Sequence, residues 1–279
     1  MSKVRVAATL AALSIVMSPL SAADRKTGKL EVAKPEGPAR LHMMPGETTK
    51  IFNGVTLYVP RDIDAGERVP LLVMMPGTKG TGENMVETLK YAADRWNFAM
   101  LGFSPRKDNF TAVDTFFNDR DRGLPHAIED WPAPRFGKDL ERLEAALIRT
   151  FELAPIDPDR IGLLGFSHGG SYALMVGTAN PDLFATIGAM SPGLLVVPRD
   201  QKGGQSIILA HGRRDQVQPF ERTACAITPR LVELGNKVEF HAHDGRHDIP
   251  MEITAAALGH FRAGRAGRDL EEPLPEPGC

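Results

Sequence analysis

The stretch "DRIGLLGFSHGGSYALMVGTAN" (159–180) decides the fold. Up to Ser167 it is a short apolar run, as expected of a strand buried in a sheet. From Gly169 it becomes a run of small residues that reads as a helix, stopped by Pro181. Between the two lies Gly165-x-Ser167-x-Gly169. A strand that turns straight into a helix forces the central residue into a strained backbone and exposes its side chain. The positions two before and two after must be small, because strand and helix nearly collide there.

The same alternation continues on both sides. Strands are predicted over 55–60, 69–77, 98–103, 184–193, 206–212 and 237–243, and helices over 88–96, 137–153, 218–235 and 250–263. Buried strands alternating with helices predict an α/β fold with a mostly parallel central sheet and helices on both faces. Ligands of such sheets bind at the carboxyl ends of the strands, which ranks the candidate residues. The main domain is read as 51–265, preceded by an extended arm over 24–50 and followed by a Pro-rich tail over 266–279. Residues 104–136 mix charges, aromatics and prolines without clear periodicity, and are expected to form a long loop, either functional or loosely ordered.

The chain has 279 residues, 42% of them hydrophobic, enough to bury a sizeable core. Its net charge is −2 and it lacks a long basic run, which argues against a nucleic-acid partner. The first residues carry Lys3 and Arg5, an apolar run from Val6 to Met17, and small residues at Ser21, Ala22 and Ala23. Those are the parts of a cleavable signal peptide, cut near Ala23, and the run is too short for a comfortable membrane span. A periplasmic or secreted protein without a stable membrane anchor is expected. Export would let Cys225 and Cys279, the only two cysteines, form a disulfide.

A serine hydroxyl is a weak nucleophile at neutral pH and needs a base. Asp215 lies just past the predicted strand 206–212, and "HAHDGRHDIP" (241–250) follows with three histidines. His241 and His243 fall inside a strand on one face, whereas His247 comes after a turn and before a helix. A base must swing over the strand ends, so His247 is the candidate, with His243 as the alternative. The order Ser167, Asp215, His247 sets the partners 48 and 32 positions apart, room for the intervening elements. A metal reading of the histidine run fails on spacing. An H-x-H-x-D-H pattern would need Asp and His where Gly245 and Arg246 stand, and neither H-E-x-x-H nor C-x-x-C occurs. No metal and no cofactor are therefore expected. Donors to a developing oxyanion would be the backbone N–H of His168, after the nucleophile, and that of Thr78 in "MMPGTKGTGEN" (74–84). The alternative for that loop is a Gly-rich turn without a role. It does not match a phosphate-binding loop.

From about 50 to 262 the chain resembles secreted α/β-hydrolase serine esterases, the carboxylesterase, dienelactone-hydrolase-like and polyhydroxybutyrate-depolymerase-like groups. The pieces that carry the likeness are "MMPGTKGTGEN", "DPDRIGLLGFSHGGSYAL", "HGRRDQVQP" and "DGRHDIP". The resemblance implies a Ser167–Asp215–His247 triad, oxyanion donors at Thr78 and His168, and cleavage of a small-molecule or oligomeric ester through an acyl-enzyme. The chain departs from the pattern at Pro76-Gly77, where many relatives have His-Gly, and it has serine where dienelactone hydrolases proper use cysteine. A peptidase or amidase with the same triad, or a non-catalytic binding protein on this fold, are the competing readings. Phe116, Phe117 and Trp131 are candidates for an aromatic wall of the site, or simply for anchors of a surface loop.

Overall fold

The computed structural model describes residues 23–38, 40–64, 66–120, 135–196 and 203–264, without the side chains of 116–120 and Arg222. The expected signal peptide (1–23, except for Ala23 itself), Trp131, Cys279 and the 266–279 tail lie outside the described residues. Eight strands form one sheet: β1 (Thr48–Phe52), β2 (Val55–Tyr58), β3 (Val69–Met75), β4 (Ala99–Phe103), β5 (Ile156–Phe166), β6 (Thr186–Met190), β7 (Ser206–Gly212) and β8 (Lys237–His243). The helices are α1 (Gly82–Trp96), α2 (Thr111–Arg120), α3 (Gly137–Leu153), α4 (His168–Ala179), α5 (Phe220–Glu233) and α6 (Met251–Ala263).

The strand order is β1-β2-β4-β3-β5-β6-β7-β8, with β2 antiparallel to both of its neighbours, β1 and β4, and every other neighbouring pair parallel. The chain winds outward from β3 to β4, then returns to place β5 on the other side of β3. That reversal opens a crevice at the carboxyl ends of β3 and β5, where this fold class binds ligands. Strands β4, β6 and β7 are buried at every position, as sheets covered on both faces require. Side chains of α1 and α6 pack on one face with Leu72, Met74, Met100 and Ile208. Those of α3, α4 and α5 pack on the other with Leu71, Val73, Leu101 and Ile207.

Two regions differ from the sequence reading. Within 104–136, residues Thr111–Arg120 are helical rather than irregular. The cause is local. Thr111 N–H and its hydroxyl both donate to the buried Asp139 carboxylate, at 3.0 and 2.8 Å, and Phe110 stacks on Tyr172 with ring centroids 4.3 Å apart. These contacts fix the helix start against α3 and α4. The arm, in turn, is a cover for the core. Ala23 and Leu30 are buried, Leu30 N–H donates to Asn180 Oδ1 at 2.8 Å, and Thr48 already belongs to a strand. Asn180 also donates to Gly28 O and Val176 O, so one buried amide ties the arm to the end of α4. This cover is why α4 is buried at every position.

Candidate active site

Three strand ends build the site. At the end of β5 the backbone reaches Ser167 with φ +54° and ψ −119°, a left-sided conformation that a non-glycine residue adopts only under strain. The flanking glycines explain the turn. A Cβ on Gly165 would overlap Gly169 O, and one on Gly169 would overlap the carbonyls of Met75 and Pro76. Ser167 N–H donates to Met190 O at 2.8 Å, which fixes the turn against β6.

The acid comes from the turn after β7. Asp215 is 5% exposed, and its Oδ1 accepts the N–H groups of Val217 and Gln218 at 2.9 and 2.8 Å. The histidine loop after β8 leans on the same turn. Arg213 N–H donates to His243 O at 2.8 Å and Arg214 N–H to Gly245 O at 3.0 Å. Gly212 permits this approach, because any Cβ there would overlap Arg246 O. The result is a continuous hydrogen-bonded line. His247 Nδ1 lies 2.7 Å from Asp215 Oδ2, and His247 Nε2 lies 2.7 Å from Ser167 Oγ. A carboxylate only accepts, so Nδ1 carries the hydrogen and Nε2 is free to accept the serine proton. The Phe166 ring packs against the imidazole at 5.0 Å and holds its plane.

The other sequence candidates fall as follows. His168 is the first residue of α4, at the helix end where N–H groups have no intrahelical acceptor and the dipole favours negative charge. Its imidazole is buried, which pushes its pKa down, while Asp114 at 3.8 Å acts in the opposite sense. Thr78 is exposed in the turn between β3 and α1. Its neighbour Gly77 faces Ser167 so closely that a Cβ there would sit 3.3 Å from Ser167 Cβ. Phe116 and Phe117 lie on the second half of α2, with side chains outside the described set. His241 and His243 are strand residues. His241 donates to Glu239 at 2.7 Å, and His243 Nδ1 accepts Gly245 N–H at 3.1 Å. Among the described residues no group of His, Cys, Asp and Glu is placed to hold a metal ion. Sequence reasoning passed over Phe166 and His211; the second sits in the "AHG" that ends β7, directly before the acid-bearing turn.

A second array of the same residue types lies at the opposite, amino end of the sheet. Ser206 Oγ is 3.1 Å from His260 Nε2, and His260 Nδ1 donates to Glu239 Oε2 at 2.9 Å. All three are under 5% exposed, so no substrate reaches this serine. Burial alone would raise the Glu239 pKa, but hydrogen bonds from His241 and His260 pull it down to about 2. A carboxyl depressed in the folded state stabilises the fold above its ordinary value near 4.5, and that stability is lost as pH falls toward 2. Glu239→Gln is therefore expected to cost about 3 kcal/mol at neutral pH, where the carboxylate is fully ionised. Urea denaturation at stepped pH should show wild type and variant converging as pH falls from 4.5 toward 2; a constant gap would contradict the assignment.

Comparison with known proteins agrees with this architecture. The family model described as "Putative esterase" matches residues 48–250. The chain is 26% identical over 219 residues to "Putative esterase NocK" of Nocardia uniformis subsp. tsuyamanensis, a match covering 75% of this chain and 56% of that protein, so the chain spans little more than half the length of that relative. Among solved structures it is similar to esterase PE8 (TM-score 0.52, 22% identity, 71% of this chain and 94% of the other). It is also similar to a thermostable esterase (TM-score 0.55, 20% identity, 77% and 59%). At those identities the likeness speaks for the fold. With the family match spanning most of the chain and the strand order described above, the protein belongs to the esterase family and has the α/β-hydrolase fold.

Proposed function

We propose that the protein is a serine hydrolase that cleaves carboxylic esters through an acyl-enzyme. The observation that carries this reading is the unbroken Ser167–His247–Asp215 line, with both hydrogen bonds at 2.7 Å, at the crevice of the sheet. Ser167 Oγ attacks the ester carbonyl carbon while its proton passes to His247 Nε2. The developing oxyanion is met by the His168 N–H and by the loop at Gly77–Thr78, and collapse expels the alcohol, which takes the proton from His247. Water then repeats the sequence on the acyl-enzyme and releases the acid. Asp215 stays ionised throughout and steadies the imidazolium. Substrates are small or oligomeric esters.

The test is a panel of 4-nitrophenyl esters graded by acyl length, with mass mapping of a fluorophosphonate adduct. Turnover and a single adduct on Ser167 are expected. No turnover on any ester, or an adduct on another serine, would overturn the proposal.

The proposal extends to export, with a Cys225–Cys279 disulfide in the mature protein. Cys225 is half-buried on α5, against the core. Ala23 packs in the core and its N–H is donated to the buried Glu144 carboxylate, so cleavage between Ala22 and Ala23 fits better than cleavage after Ala23. Intact-mass measurement of the exported chain should find Ala23 at the N-terminus. Asp24 there, or an uncut chain, would contradict this.

A further inference from the structure

The triad acid is gripped from two sides, and the triad explains only one of them. His247 Nδ1–H reaches Asp215 Oδ2 at 2.7 Å from the crevice. From inside the core, His211 on β7 places its Nε2 3.3 Å from the same oxygen. His211 has no exposed surface. Its Nε2 is 2.7 Å from Gln218 O and 3.2 Å from Thr223 Oγ1. A carbonyl only accepts, so the hydrogen sits on Nε2. The Thr223 hydroxyl donates to Pro219 O at 2.9 Å, which turns its oxygen lone pairs toward that same hydrogen. His211 Nδ1 is buried without a hydrogen-bond partner, and the Phe220 ring stands edge-on to the imidazole at 5.8 Å. A proton on Nδ1 would be a stranded donor, and burial accordingly lowers the His211 pKa. Burial thus favours the neutral ring, which donates from Nε2 toward Gln218 O.

That direction matters because Gln218 has two roles. Its carbonyl receives His211 Nε2–H, and its own N–H donates to Asp215 Oδ1 at 2.8 Å. His211 therefore locks the turn that holds one carboxylate oxygen and sets its N–H dipole beside the other. Resting on the esterase reading, we propose that His211 is a positioning residue of the triad, aiming Asp215 Oδ2 at His247 by clamping Gln218 and bracing the carboxylate from the core side. It touches neither substrate nor the reacting atoms. The competing account is an ordinary packed histidine, whose loss would change stability alone.

The experiment uses the full chain with His211→Gln, whose amide can keep a donor near Nε2, and His211→Leu and His211→Phe, which cannot. The first readout is kcat and KM for 4-nitrophenyl acetate, per site titrated with fluorophosphonate. The second is the low-field proton resonance of the His247 Nδ1–H in the bond to Asp215, assigned by its absence in His247→Ala. His211→Leu and His211→Phe are expected to lose about 10- to 100-fold in kcat with little change in KM, the scale of a small misplacement of a catalytic group. Their low-field resonance should move upfield or exchange away, and His211→Gln should bring both kcat and resonance most of the way back. The proposal is overturned if a folded His211→Leu keeps wild-type kcat and resonance, or if a folded His211→Gln is as impaired as His211→Leu. If neither apolar variant folds, His211→Gln decides alone: retained kcat and resonance support the assignment, and loss of both in a folded protein overturns it. The resonance needs no substrate. A wild-type protein inert to every ester would thus sink the esterase reading while this arm still reports on Asp215.

Discussion

Replacing Ser167 by alanine is expected to abolish ester hydrolysis and leave the fold intact. The hydroxyl is the atom that would bond the acyl carbon, and it lies 2.7 Å from His247 Nε2. Alanine keeps the Cβ, so the glycine-lined turn around the residue need not move. Loss of a triad serine lowers turnover on the order of a million-fold, leaving what oxyanion donors and binding supply by themselves. Steady-state hydrolysis of 4-nitrophenyl acetate by purified variant, with circular dichroism to verify folding, measures this. Activity within about a hundredfold of wild type would remove Ser167 as nucleophile, since no triad serine is that dispensable.

His247→Ala should be nearly as damaging, again on the order of a million-fold, because the serine proton would have no acceptor and a triad acts as a unit. The contrast within "HAHDGRHDIP" is the sharper test. His241 is bonded to Glu239 and His243 to the Gly245 N–H, whereas Ser167 Oγ meets His247 Nε2. Alanine at either position should therefore leave most of kcat, with His241→Ala felt chiefly as lost stability. Chelators should leave wild-type activity unchanged. A folded His243→Ala as inactive as His247→Ala, or chelator inhibition reversed by zinc, would contradict the triad.

The sequence made the sheet legible because fully covered strands read as short apolar runs, as in Val69–Met75 and Ser206–Gly212. It made the turn at Ser167 legible because strand–helix collision leaves room only for glycine at 165 and 169. The order of Ser167, Asp215 and His247 sufficed to bring together three side chains that meet within hydrogen-bond distance. What escaped depends on contacts distant in sequence. Helix α2 carries Ala112 and Val113 on its buried side, but its start is fixed by Asp139 and Tyr172, which no local window contains. The polar arm gave no periodic signal, although Leu30 and Asn180, 150 residues apart, join it to the core. His211 looked like part of a strand, and only the folded turn from Asp215 to Gln218 gives its ring nitrogen a direction.

The backbone at Ser167 sets function against durability. A side chain held at φ +54° raises the free energy of the folded state by about 1–3 kcal/mol, and the surrounding structure must supply that excess. Glycine alone is at ease there. Ser167→Gly should thus outlast Ser167→Ala on heating, with a higher melting temperature, although both are expected to be inert. Selection for thermal resilience alone would erode this position first. Under the proposed mechanism, reactivity would be what keeps a serine in a place where the fold, left to itself, would prefer no side chain.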